Sequence, residues 1–241
     1  VPYLILSDVH SNREALEAVI QDAQGLYDRI LCLGDIVGYG ADPNFTAEWM
    51  RTHSSISIRG NHDKLCVGLD APEVYNAAAR ASALWTRQAL TAANAVYLSN
   101  LPRGPLRVDD FDLVHGSPAD EDEYIIHAGD AAMVRDILDA SVTFFGHTHV
   151  QGGFLLTRRA IKRIAPEGGV LELEPDHRYL LNPGSVGQPR DMNPRAAYAI
   201  YTPEHRTVEF RRAKYDIATA AQKILDAGLP NVLALRLYEG A

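Results

Sequence analysis

The chain has 241 residues, 46% of them hydrophobic and 22% charged, which is the balance of a globular protein with one substantial core rather than a disordered or fibrous chain. Its apolar runs fall well short of the ~20 residues that cross a bilayer, so no membrane partner is expected. A formal charge of −8 excludes a stable hold on nucleic acid by bulk electrostatics. It leaves phosphate substrates open, because bound cations can reverse the local sign of a site.

In chain order, Tyr3 to Leu6 is a short apolar strand, and no basic n-region or small-residue cleavage site precedes it. Residues 12–24 carry Ala15, Leu16, Val19, Ile20 and Ala23, a helical stripe. Arg29 to Leu33 is a second strand, Pro43 to Thr52 a helix, and Ser55 to Ile58 a third strand. Residues 74–99, rich in alanine, are mostly helical and close at Leu101-Pro102. This alternation predicts parallel strands covered by helices. Leu106 to His115 reads as a hairpin around Asp109-Asp110, and Asp130 is placed to cap a helix carrying Val134, Ile137 and Leu138. Val142 to Phe145 is another strand. The β-prone runs Gly153–Leu156, Val170–Leu173, Tyr179–Leu181, Ala197–Tyr201 and Thr207–Arg212 follow. Asp216 caps an amphipathic helix ending at Gly228, and the apolar tail from Pro230, with Leu233, Leu235 and Leu237, is expected to dock on the body or pair with a second subunit. Arg158, Arg159, Lys162 and Arg163 form a basic cluster, read as a solvated hairpin face. Cys32 and Cys66 call for no disulfide scaffold at this length, and a reducing cytoplasm is the expected setting.

Five polar clusters each follow a predicted strand: Asp8-Val9-His10, Gly34-Asp35 through Gly38, Gly60-Asn61-His62-Asp63, His115-Gly116 and Gly146-His147-Thr148-His149. Loops at the carboxyl ends of parallel strands converge on one crevice, so these segments can meet there. Histidine nitrogen, aspartate oxygen and asparagine carbonyl oxygen suit divalent metal. Five of the nine histidines fall in these clusters, so the grouping outweighs chance; each cluster alone would read as a turn, a cap or a hydrogen-bonded strand end. No cysteine-phosphatase loop or Walker nucleotide loop is present, and Ser185, with Pro183 where a nucleophile elbow needs glycine, reads as a turn residue.

Taken together and in this order, the clusters resemble the calcineurin-like metallophosphoesterases, whose pattern runs D-x-H, G-D-x-x, G-N-H-[DE], H, G-H-x-H; here it spans residues 8–149. Asn182-Pro183-Gly184-Ser185 is similar to the smaller bacterial and archaeal phosphodiesterase-like branch. The resemblance implies an α/β fold: a two-sheet sandwich flanked by helices, in a single domain over 1–241. It implies that Asp8, His10, Asp35 and His149 hold one metal ion and that Asp35, Asn61, His115 and His147 hold another. His62 would stand by the substrate phosphate, and Asp63 would either orient it or cap the next helix. His53, His127, His177 and His205 receive no role.

Two divalent ions would bring +4 and the two aspartates return −2, so such a site stays cationic and draws in a phosphoryl oxygen. Ions about 3.5–4 Å apart can share a hydroxide as the nucleophile for direct attack on phosphorus. Histidine-rich, thiolate-free coordination favours Mn²⁺, Fe²⁺, Zn²⁺, Co²⁺ or Ni²⁺. His62 is the candidate to protonate the leaving oxygen. Arg59, Tyr39 and Arg190, with Tyr124 and Gln188, lie in or beside the motif loops and are candidates to line a substrate pocket, while Asp120 to Glu123 reads as a solvated acidic loop. The expected activity is hydrolysis of small phosphoesters. The alternatives are a silent interaction module on the same fold, as in a eukaryotic trafficking relative of that family, and a protein phosphatase.

Overall fold

The computed structural model describes residues 1–166 and 168–241. Twelve strands and eight α-helices follow one another: β1 Tyr3–Leu6, α1 Arg13–Asp22, β2 Arg29–Cys32, α2 Pro43–His53, β3 Ile56–Ser57, α3 Asn61–Val67, α4 Ala77–Ala89, α5 Ala92–Ser99, β4 Leu106–Val108, β5 Phe111–Leu113, α6 Ala128–Val134, β6 Val142–Phe144, β7 Gly152–Leu156, β8 Ile161–Ile164, β9 Gly169–Glu172, β10 Arg178–Asn182, β11 Ala196–Thr202, β12 Thr207–Ala213, α7 Ile217–Asp226 and α8 Asn231–Glu239.

They build two six-stranded sheets, ordered β3-β2-β1-β11-β12-β9 and β4-β5-β6-β10-β7-β8. Strands β1, β2 and β3 run parallel, as do β5, β6 and β10, while the remaining pairs are antiparallel. The parallel strands are covered on both faces and so read as unbroken apolar runs. In β1, Tyr3 and Ile5 face the inter-sheet core while Leu4 and Leu6 face the helical layer, and all four are buried. The core between the sheets centres on Phe111, whose ring meets Tyr3, Phe144 and Tyr201 edge-on at centroid distances of 5.2, 5.9 and 5.1 Å. Edge-to-face contacts of this kind match the quadrupoles of the rings.

The expected strands and helices are present, with two differences, and the tail takes one of its two expected roles. β3 is only two residues long. Asp130 lies inside α6 rather than at its cap: its carboxylate accepts the backbone N–H groups of Ile126 and His127, and the helix gives way to a 3₁₀ turn before Ile137. The C-terminal tail docks on its own chain as α8, burying Leu233 and Leu237 against α7 and leaving Leu235 exposed. No helix among the described residues is long and apolar enough to cross a membrane.

Candidate metal centre

The site forms where the carboxyl ends of the parallel strands of both sheets meet. β1 leads into Asp8 and His10, β2 into Asp35, β3 into Asn61, β5 into His115, and β6 into His147 and His149. All seven side chains are buried, none more than 5% exposed. Five of them, Asp8, His10, Asp35, His147 and His149, hold left-handed backbone with φ between 48 and 65°. Non-glycine residues pay for that conformation, Asp and His less than most, and such strain collects where a site over-determines the chain. The loops also need two close approaches. A side chain at Gly60 would strike the Asp35 carboxylate, and one at Gly146 would strike the Ser7 hydroxyl.

Each imidazole is held by one nitrogen. Nδ1 of His10, His115 and His149 faces the carbonyl of Val37 (3.2 Å), Leu33 (2.8 Å) and Gln188 (2.6 Å). A carbonyl only accepts, so each Nδ1 carries a proton and Nε2 turns inward. For His147 the roles reverse: Nε2 donates to the Asp122 carbonyl at 3.2 Å and Nδ1 is left for the centre. His10 Nε2 and His149 Nε2 are then two lone pairs 3.1 Å apart. That contact is repulsive unless a cation lies between them. Burial holds both rings below the ordinary imidazole range, which keeps the lone pairs available.

Asp35 is the hinge of the arrangement. Its Oδ1 accepts the His62 backbone N–H at 2.8 Å, at the start of α3. Its Oδ2 is buried with no hydrogen-bond partner among the described residues, yet His10 Nε2 and His115 Nε2 each lie 3.5 Å away. Two groups able to hold a metal follow, Asp8–His10–Asp35–His149 and Asp35–His115–His147, the ligand atoms in each within 4.8 Å of one another. Asn61 Oδ1 adds to the second group, 3.1 Å from His115 Nε2. Burial opposes ionisation of both aspartates, but His149 beside Asp8 and His115 beside Asp35 hold them well below the usual carboxylate range. Burial alone would lower His115; the Asp35 carboxylate outweighs it and pushes the ring up to about 10. A proton there stands where a cation would bind. An orphaned carboxylate oxygen, facing lone pairs and anionic donors all fit divalent metal.

His62 borders the same space. Its ring packs against Tyr39 at 4.3 Å and His10 at 5.0 Å, and it lines a cleft of about 360 Å³ with Tyr75, Asp122, Tyr124 and His147. Burial pushes its pKa down to about 4, so the ring is neutral near pH 7. Asp63 does not orient it. The Asp63 carboxylate accepts from the backbone N–H groups of Gly60 (3.0 Å), Ile36 (2.9 Å) and Val37 (3.2 Å), so of its two possible roles the helix cap is the one observed. It also fastens the Asp35 loop to α3.

Among the expected pocket residues, Tyr39 and Arg190 are at the site, the guanidinium 5.5 Å from the centre of the Tyr39 ring. Tyr124 lies against the His147 ring at 3.8 Å, and Gln188 supplies the carbonyl that holds His149. Arg59 is not at the site. It makes a two-pronged contact with Glu121 at 2.9 and 3.0 Å, a geometry that uses up the planar guanidinium. The acidic loop is therefore not simply solvated: Glu121 is 7% exposed and also meets Lys64 at 3.1 Å, while Asp122 takes Lys64 at 2.7 Å. Ser185 is a turn residue as expected, its hydroxyl donating to the Asp8 carbonyl at 2.7 Å. Sequence reasoning missed Tyr75, whose hydroxyl bonds Asp70 at 2.8 Å at the cleft, and the Asp122 carbonyl. Tyr75 sits in no motif and backbone carbonyls leave no trace in residue type, so no local signal marked either.

Residues 2–206 match the family described as the calcineurin-like phosphoesterase superfamily domain. The chain belongs to this superfamily. An uncharacterised protein of Methanocaldococcus jannaschii is 34% identical over 249 residues, covering 98% of this chain and 97% of that protein. The crystal structure of a metallophosphoesterase from Sphaerobacter thermophilus is 41% identical with a TM-score of 0.89, covering 100% of this chain and 99% of that one. That of a hypothetical protein from Pyrococcus horikoshii shares the fold at 21% identity and a TM-score of 0.81, covering 100% and 98%. The two helix-flanked sheets are thus the metallophosphoesterase fold of this superfamily, with buried Asp and His clusters able to hold metal at its strand ends.

Proposed function

We propose that this calcineurin-like phosphoesterase superfamily member hydrolyses small phosphoesters, as a phosphodiesterase or phosphatase, with two divalent transition-metal ions bound at the strand ends. The observation that carries the reading is Asp35 Oδ2, buried, without a hydrogen-bond partner among the described residues and 3.5 Å from imidazole nitrogens on either side. Asp8, His10, Asp35 and His149 would hold one ion; Asp35, Asn61, His115 and His147 would hold the other. Bound there, such ions supply Lewis acidity toward phosphoryl oxygens and a water nucleophile at neutral pH.

The chain's own residues do the rest. Ser7 and the His147 backbone N–H fix the Asp8 carboxylate, at 2.5 and 3.2 Å, and the carbonyls behind His10, His115 and His149 fix the rings. His62 faces the cleft between Tyr39 and Tyr75, where it can give a proton to, or hydrogen-bond, an oxygen of the phosphoryl group. An arriving phosphate anion beside the ring favours its protonated form. Arg190 adds a fixed positive charge at the rim.

The test is hydrolysis of bis-p-nitrophenyl phosphate and p-nitrophenyl phosphate by protein loaded in turn with Mn²⁺, Fe²⁺, Zn²⁺, Co²⁺ and Ni²⁺, with metal content measured alongside. Turnover that disappears in Asp35→Asn together with both equivalents of metal is the expected result. Stoichiometric metal without turnover of any ester would sink the hydrolase reading.

A further inference from the structure

Beside the cleft that holds His62 lies a second cavity, of about 240 Å³. The two share Tyr124, which lines both, and the cavity wall includes Thr148, which stands between the ligand-type residues His147 and His149. Its body is apolar, formed by Phe145, Phe154, Ile126 and Ile164 among others. Two of its polar side chains, Gln151 and Thr148, are engaged with the protein. Gln151 Nε2 donates to the carbonyls of Pro183, Tyr198 and Arg211, and its Oε1 accepts from Arg212. The Thr148 hydroxyl accepts from Asn182 at 3.0 Å. An occupant therefore meets mostly hydrocarbon and ring faces, with Tyr124 among them.

The charges are the exception. Arg190 and Arg163 line the cavity and, among the described residues, no carboxylate does, in a chain whose formal charge is −8. Arg190 stands at the junction: its guanidinium lies over Tyr39, which packs on His10 and His62, and its Nε is buried without a partner among the described residues. Its backbone N–H is tied to the His149 carbonyl at 3.1 Å, which fixes the base of the side chain to the metal loop.

Resting on the phosphoester reading above, we propose that this cavity is the seat of the substrate's organic group, and that the group is apolar and ring-bearing. Arg190, at its mouth, would pair with a non-bridging oxygen of the same phosphate. The volume takes one or two rings, since a dry apolar cavity of about 150 Å³ already admits benzene. The assignment makes aryl phosphoesters better ligands than alkyl ones of the same charge.

The probes are phenylphosphonate and methylphosphonate, which carry the anion but cannot be hydrolysed, titrated by calorimetry into the full Mn²⁺-loaded chain. Phenylphosphonate is expected to bind at least about tenfold more tightly, the margin that burying a ring supplies. In Ile164→Trp, which fills the cavity, that margin is expected to vanish while methylphosphonate binding is unchanged. The wild-type comparison stands even if the variant does not fold. Equal affinity of the wild type for both probes, or a phenyl preference that survives the filling substitution, overturns the assignment and leaves the phosphoester reading standing. Absence of binding by either phosphonate overturns both.

Discussion

At the scale of single residues, the site divides the labour between side chains that are fixed and one that is free. Six of the seven ligand-type residues are pinned from behind: the rings by the Val37, Leu33, Gln188 and Asp122 carbonyls, Asp8 by Ser7, and Asp35 by the His62 backbone N–H. His62 differs: its Nδ1 has no partner and nothing corresponding to a carbonyl holds the ring. That difference separates two kinds of mutational effect. His62→Ala is expected to lower kcat by roughly 10²–10⁴-fold, the usual range for a lost general acid or base, with metal content unchanged. Metal analysis of the purified variant against the wild type checks it, and a variant that loses metal would place His62 among the ligands instead. The residue types and their order were legible in the sequence because ligand chemistry restricts the choice to Asp, His and Asn. Arg59 was misplaced for the complementary reason. A guanidinium beside a motif is equally suited to phosphate and to carboxylate, and only the fold reveals that Glu121 reaches it first.

At the scale of elements, α3 and the acidic loop form one unit that sets the floor of the cleft. Asp35 accepts from the α3 backbone while Asp63 on α3 accepts from the Asp35 loop, so helix and loop hold each other through reciprocal carboxylates. Lys64 on the same helix and Arg59 just before it reach Glu121 and Asp122, the residue whose carbonyl holds His147. Burial would raise the Glu121 carboxyl, but the hydrogen bonds from Arg59 and Lys64 outweigh it and hold it below the ordinary glutamate range. A carboxylate depressed on folding contributes stability above its unfolded pKa and loses it as pH falls through the folded value. Glu121→Gln is therefore expected to cost about 1–3 kcal/mol at pH 7. The gap from wild type should close as pH falls below the glutamate range, as read by urea unfolding across pH 3–7. Alternation and capping patterns made most elements readable, from the stripe of α1 to the Asp216 cap of α7. The acidic loop was not readable, because four adjacent carboxylates look alike whether solvated or paired, and their cations lie some 60 residues away in sequence.

At the scale of the molecule, two faces of apolar strands make two kinds of core, and the inter-sheet one carries the load. Phe111 is fully buried and touches aromatic rings from both sheets. Phe111→Ala is expected to cost about 3–5 kcal/mol in denaturant unfolding, since it leaves a ring-sized void between layers that cannot both move inward. A loss under about 1 kcal/mol would mean the sheets close up freely. The sandwich itself was foreseen only through the family resemblance. Periodicity indicates strand or helix, but which of two sheets a strand such as β9 joins depends on pairings made far along the chain.

Asp8, His10 and Asp35 hang from one sheet; His115, His147 and His149 hang from the other. Any ion seated among them is therefore a rivet through the two halves of the sandwich. Amide exchange should register this as a joint event: on Mn²⁺ addition the backbone around residues 8–11, 35–39, 115–117 and 146–150 is expected to slow together, across segments that share no strand. Protection confined to one half would mean the rivet does not pass through both plates.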